Sequence, residues 1–92
     1  MLKFKDLKFE SSPEGVQRAR QKFGPYELSV ILEPGKKFYE AAIFDEQKNF
    51  IRLPGIHINS SKDDVIPYLN EENVSGIMLK LYSITGSLKD SV

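Results

Sequence analysis

Two runs of alternating side chains, joined by a proline-glycine pair, constrain this chain more than any other feature. In YELSVILE, Tyr26, Leu28, Val30 and Leu32 fall on one side, and Glu27, Ser29, Ile31 and Glu33 fall on the other. A period of two is the signature of a strand with unlike faces. Pro34-Gly35 supplies the turn, and the aromatic and apolar run Phe38–Phe44 supplies a second strand. The spacing therefore predicts a hairpin over about 26–44. Asp45–Asn49 reads as a polar turn, and Phe50–Leu53 as a third short strand ended by Pro54-Gly55.

The period then changes. Val74, Ile77, Met78, Leu81 and Ile84 recur at helical spacing, behind Asn70 as an N-cap and Glu71 and Glu72 in the first turn. Gly86 is a natural stop, and 87–92 reads as a frayed tail. Gly76 weakens this helix, so a close approach to a neighbouring backbone is expected there. Upstream, Ser61 and Asp64 resemble a capping box, and Lys62–Ile66 reads as one helical turn broken by Pro67. The opening FKDLKFE reads as an edge strand whose lysines discourage unwanted pairing.

SSPEGVQRARQKF admits two readings. As a helix it has Ser12 at the N-cap, Pro13 in the first turn, and Val16, Ala19 and Phe23 on one face. As a strand it sets Val16, Arg18, Arg20 and Lys22 on one side, with Phe23-Gly24-Pro25-Tyr26 as the tight turn into the next strand. Local propensity leans towards the helix. The expected fold is one α+β domain over 1–86: an antiparallel sheet of about four or five strands with the C-terminal helix packed on one face.

Composition narrows the function. With 92 residues the chain has room for one core, and without cysteine it has no disulfide, thiolate nucleophile or thiolate-bound zinc. No apolar run approaches the ~20 residues of a membrane span, so no membrane partner is expected. Thirteen basic and thirteen acidic side chains give a formal net charge of zero, which argues against bulk affinity for nucleic acid. The balance is uneven along the chain, however. Residues 1–38 hold eight Lys/Arg and five Asp/Glu, a net of +3; residues 39–92 hold five and eight, a net of −3. Such a dipole steers partners or promotes self-association unless the halves fold against each other and cancel.

Few residues invite chemistry. His57 is the only histidine, no G-x-S-x-G elbow accompanies it, and a half-exposed loop or edge position is expected for it. Asp63-Asp64 and Glu71-Glu72 are paired carboxylates, but both pairs suit the first turns of helices and lack a cation-loop spacing. No phosphate-cradling or dinucleotide fingerprint exists, so neither an enzyme nor a cofactor or metal site is expected. The sharpest feature is basic. On a strand, Arg18, Arg20 and Lys22 project from one face about 7 Å apart. Lys36 and Lys37 can extend the row from the hairpin tip, with Tyr26 or Tyr39 available for stacking, and the set could bind single-stranded nucleic acid or an acidic protein. On a helix the row dissolves.

FKDLKFE, then VQRAR leading through FGPYELSVI to YEAAIFD, then DDVIPYLNEENVSGIMLKL resembles a family of small uncharacterised accessory proteins of tailed bacteriophages, over roughly Phe4 to Leu81. Two departures stand out: the loop Glu33–Lys37 is shorter than the resemblance leads one to expect, and NFIRLPGIHINSS is longer. The resemblance implies that VQRARQKF is a strand paired with YELSVILE. It also implies a non-enzymatic interaction protein, in the cytoplasm of an infected bacterial host, that binds and inhibits a host protein or complex. Defence systems such as CRISPR effectors are among the targets such proteins suggest. A nucleic-acid-binding accessory protein and a homo-oligomeric structural or regulatory protein are the alternative expectations.

Overall fold

Residues 2–57 and 64–86 are described by the computed structural model. Their centre is a three-strand meander: β2 (Gln17–Phe23), β3 (Tyr26–Leu32) and β4 (Tyr39–Phe44), all antiparallel. The ambiguous segment is thus a strand, against its local helix propensity. Gly24 has φ 58° and is followed by Pro25. A positive φ and then proline's fixed negative φ is the type II′ pattern, whose twist matches a two-residue hairpin. Phe23 pairs directly with Tyr26 across it. A Cβ on Gly24 would also stand 3.3 Å from the Cβ of Thr85, so the turn needs glycine for both backbone and space.

Three short strands complete the sheet. β1 (Glu10–Ser11) pairs with the start of β2, while β5 (Phe50–Ile51) and β6 (Ile66–Leu69) share the far edge of β4. β6 overturns the expected helical turn: the part of Lys62–Ile66 that lies within the described residues is not helical, and Ile66 begins a strand. The proline that argued for a helix break is tolerated because β6 lies at an edge of the sheet. Two residue steps on β4 (Tyr39 to Ala41) face three on β6 (Leu69 to Ile66), so β6 carries a bulge. Tyr68 within it adopts φ 60° and is 79% exposed.

One sheet face is covered by α1 (Glu71–Thr85). Asn70 caps it as expected: its Oδ1 accepts from Asn73 N–H at 2.7 Å, and Asn73 Oδ1 accepts from Asn70 N–H at 2.9 Å. Gly86 ends it in the left-handed region at φ 74°. Val74, Ile77, Met78 and Leu81 are buried against Ala19, Phe23, Leu28, Val30, Ala41 and Ile43. Ile84 is not part of this contact and is 46% exposed. Tyr82 is buried instead, edge-on to Phe23 with ring centroids 4.9 Å apart.

Of the expected edge strand Phe4–Glu10, only Glu10 joins a strand, as the start of β1. Phe4–Asp6 forms a 3-10 turn in which Asp6 Oδ2 accepts from Lys3 N–H. Two backbone donors then tie it to α1: Leu2 N–H to the Tyr82 hydroxyl at 2.8 Å and Phe4 N–H to Ser75 Oγ at 2.9 Å. Leu7 is buried, and Phe4 and Phe9 pack on Tyr39 at 5.0 and 5.7 Å. Apolar side chains at positions 4, 7 and 9 thus draw the segment under the sheet. The tail 87–92 lies outside the described residues.

Gly76 is exposed, and a Cβ there would have no neighbour within 4 Å among the described residues, so none of their backbones approaches it. Gly76→Ala is therefore expected to stabilise the protein by about 0.5–1 kcal/mol in urea denaturation. A loss of stability would show instead that another segment packs closely against the helix at this position.

Candidate functional site: the uncovered sheet face

The register dictates which side chains share the face away from α1. Three cross-strand rows run over it: Arg18–Ile31–Glu40, Arg20–Ser29–Ala42, and Lys22–Glu27–Phe44–Phe50. Because β2 is a strand, the basic row exists as a physical feature. Arg18, Arg20 and Lys22 are exposed, and their side chains form no ion pair among the described residues. Ser29 and Ala42 are buried although no helix among the described residues covers them. They are the small floor of a concavity of about 400 Å³ with Arg18 and Arg20 on one wall and Phe44 and Phe50 on the other. The two phenylalanine rings lie 4.6 Å apart, and Phe50 remains 51% exposed.

Acidic groups interrupt the basic field. Glu10 is paired with Arg18 on β1, Glu27 follows Lys22 in its row, and Glu40 ends the row of Arg18. Lys48 approaches Glu27 at 3.8 Å. It reaches back from a turn in which Asp45 Oδ1 accepts from Gln47 and Asn49 N–H, each at 2.9 Å, and its own φ is 67°. The surface is therefore amphiphilic and of mixed sign.

The other expected binding residues divide. Lys36 and Lys37 lie at the β3–β4 hairpin tip, beside Phe38, Pro67 and Tyr68 rather than in the concavity. Tyr26 and Tyr39 do not join the basic row. Tyr26 is paired with Phe23 on the covered face, and Tyr39 lies in the Phe4–Phe9 cluster. The cause is the alternation itself: Tyr26 has the parity of Leu28, and Tyr39 that of Ala41. Burial raises the Tyr39 phenol above its ordinary value of 10.0, with the Glu71 carboxylate adding to the effect. The residues that pure charge reasoning missed are Phe44, Phe50 and Ile31, whose place beside the arginines emerges only from the register.

His57 is buried, not half-exposed. Its Nδ1 accepts from Leu53 N–H at 3.0 Å, and Nε2 lies 3.1 Å from the Asp64 carbonyl oxygen, which accepts its proton. This fixes the Nε2–H tautomer and uses both ring nitrogens to join two backbone segments. Asp64 serves here through its backbone and does not start a helix, whereas Glu71 and Glu72 do stand in the first turn of α1. Asp63 and Ser61 lie outside the described residues. Among the described residues no cluster of three or more His, Cys, Asp or Glu could hold a metal ion, and no helix is long and apolar enough to cross a membrane.

No protein-family model, curated protein or solved structure matches the chain.

Replacing His57 with Ala leaves the Leu53 N–H and Asp64 C=O without their partner. It is expected to lower stability by about 1–3 kcal/mol in urea denaturation; a change within about 0.5 kcal/mol, as at ordinary surface sites, would contradict the staple. For Tyr39, the folded state favours the neutral phenol. The unfolded chain then ionises first, and stability falls as pH rises from 10 through the raised folded-state value. Alkaline unfolding curves should show this loss reduced in Tyr39→Phe; equal loss in both proteins would contradict the assignment.

Proposed function

We propose that this chain is a small non-enzymatic interaction protein of the phage accessory type, which binds and inhibits a host protein through the uncovered face of its sheet. The observation that carries the reading is the juxtaposition on that face of exposed arginines, interleaved carboxylates and an aromatic pair around a shallow floor of small residues. Cores of protein interfaces favour aromatic residues and arginine, and a face of mixed sign selects a protein whose charges are placed to match. Nucleic acid presents a uniform negative backbone, against which Glu10, Glu27 and Glu40 are repulsive. Both nitrogens of the single histidine are engaged with backbone, which supports a binding role over catalysis.

The test is affinity capture from a bacterial lysate with the wild-type chain and with Phe50→Asp. The exposed position lets the variant keep its fold. A stoichiometric partner should be retained by the wild type and lost with the variant. Recovery of the same partner by both proteins would remove the sheet face as the site, and capture of nucleic acid alone, released by moderate salt, would support the nucleic-acid alternative instead.

A further inference from the structure

We propose that the outer edge of β2 at Arg20–Lys22 accepts an extended acidic segment of a partner protein by strand addition. The inference deepens the preceding reading and rests on it for the existence of a protein partner; it shares the arginines on one wall of the concavity but uses the backbone edge of β2 and not the aromatic pair. β1 pairs only Glu10 with Arg18 and Ser11 with Gln17, so the rest of β2 has no neighbouring strand on that side among the described residues. β1 begins only at Glu10, and no ladder pair joins residues 7–9 to β2, although Lys8 lies near Arg20.

The direction of the backbone groups follows from the hairpin. Residues flanking a two-residue turn exchange hydrogen bonds, and alternate residues then point away. Phe23, Gln21, Ala19 and Gln17 therefore face β3, while the N–H and C=O of Lys22 and Arg20 point outward. Val16 has the outward parity and accepts from Ser12 N–H at 2.8 Å on that side, in agreement. A hollow of about 640 Å³ lies at the paired β1–β2 end of this edge, lined by Ser11, Ser12 and Val16 as well as Lys8, Arg18 and Arg20; it does not reach Lys22.

Charge chooses the occupant. Arg18, Arg20 and Lys22 alternate along the edge at about 7 Å, the repeat of alternate side chains on an extended strand. A second copy adding antiparallel through the same edge would bring the two basic rows together, which like-charge pairing opposes. An incoming strand with acidic residues at alternate positions meets Arg20 and Lys22 with carboxylates while its backbone pairs there. Arg18, already opposite Glu10 of β1, adds to the positive field at the end of the open edge. Specificity then comes from the side chains and attachment from the main chain.

The probe is a short synthetic peptide of alternating Glu and Thr, titrated into the full chain and followed by amide NMR. The Arg20 and Lys22 amide signals should shift and their hydrogen exchange should slow. A peptide of the same charge, N-methylated on alternate backbone nitrogens, should bind about 10-fold or more weakly. The triple variant Arg18→Glu, Arg20→Glu, Lys22→Glu should reverse the preference, favouring the matching Lys/Thr peptide; all three positions are exposed. Equal binding of the N-methylated peptide would reduce the effect to charge adhesion and overturn strand addition. Perturbation confined to Phe44 and Phe50, or no binding, would overturn it too. Oligothymidylate binding more tightly than the acidic peptide would overturn it in favour of nucleic acid. Failure here is distinguishable from failure of the sheet-face reading, which Phe50→Asp tests on the opposite side of the sheet face.

Discussion

Phe23 and Tyr26 pair across a turn of two residues, and this pairing sets the register of β2 on β3 from one end to the other. A slip of a single residue would turn every side chain of β2 to the opposite face. The arginines would then meet Val74, Met78 and Leu81, while Ala19 and Phe23 would be left in water. Burial of Phe23 beneath Tyr82, and of Ala19 beside Val30, therefore holds the basic row outward. The core on one face and the candidate interface on the other are two consequences of one register.

The sequence made the strongest periodic features legible. YELSVILE announced its alternation, and Asn70, Glu71, Glu72 and Gly86 marked both ends of α1. Residues 16–23 were harder because Gln, Arg, Ala and Lys suit helices, and only pairing with β3 decides in favour of a strand. β6 was hidden because Pro67 suggests a helix break, whereas at a sheet edge it marks a strand that lacks one donor. The N-terminal segment was hidden because FKDLKFE alternates loosely while its fold depends on Ser75, Tyr82 and Tyr39, distant in sequence.

The candidate site was half legible for the same reason. Spacing alone places Arg18, Arg20 and Lys22 together once β2 is a strand, but no local rule brings Phe44 and Phe50 beside Glu27. The tyrosines chosen as stacking partners failed on parity, which shows that proximity in sequence is a poor guide to which face a residue joins. The mixed charge of the chain is repeated on the uncovered face, where Glu10, Glu27 and Glu40 temper the cations. Such a surface discriminates between partners by the placement of charge more than by its sum. The outer edge of β2 differs, since the nearest side chains there are mainly basic.

Amide hydrogen exchange along β2 in the free protein tests the central claim most directly, because it reads the register and the open edge together. Exchange should alternate, slow at Ala19, Gln21 and Phe23, whose N–H groups face β3, and faster at Arg20 and Lys22, whose N–H groups point outward. Uniformly slow exchange through this stretch, as in a helix or a strand covered on both sides, would contradict the account.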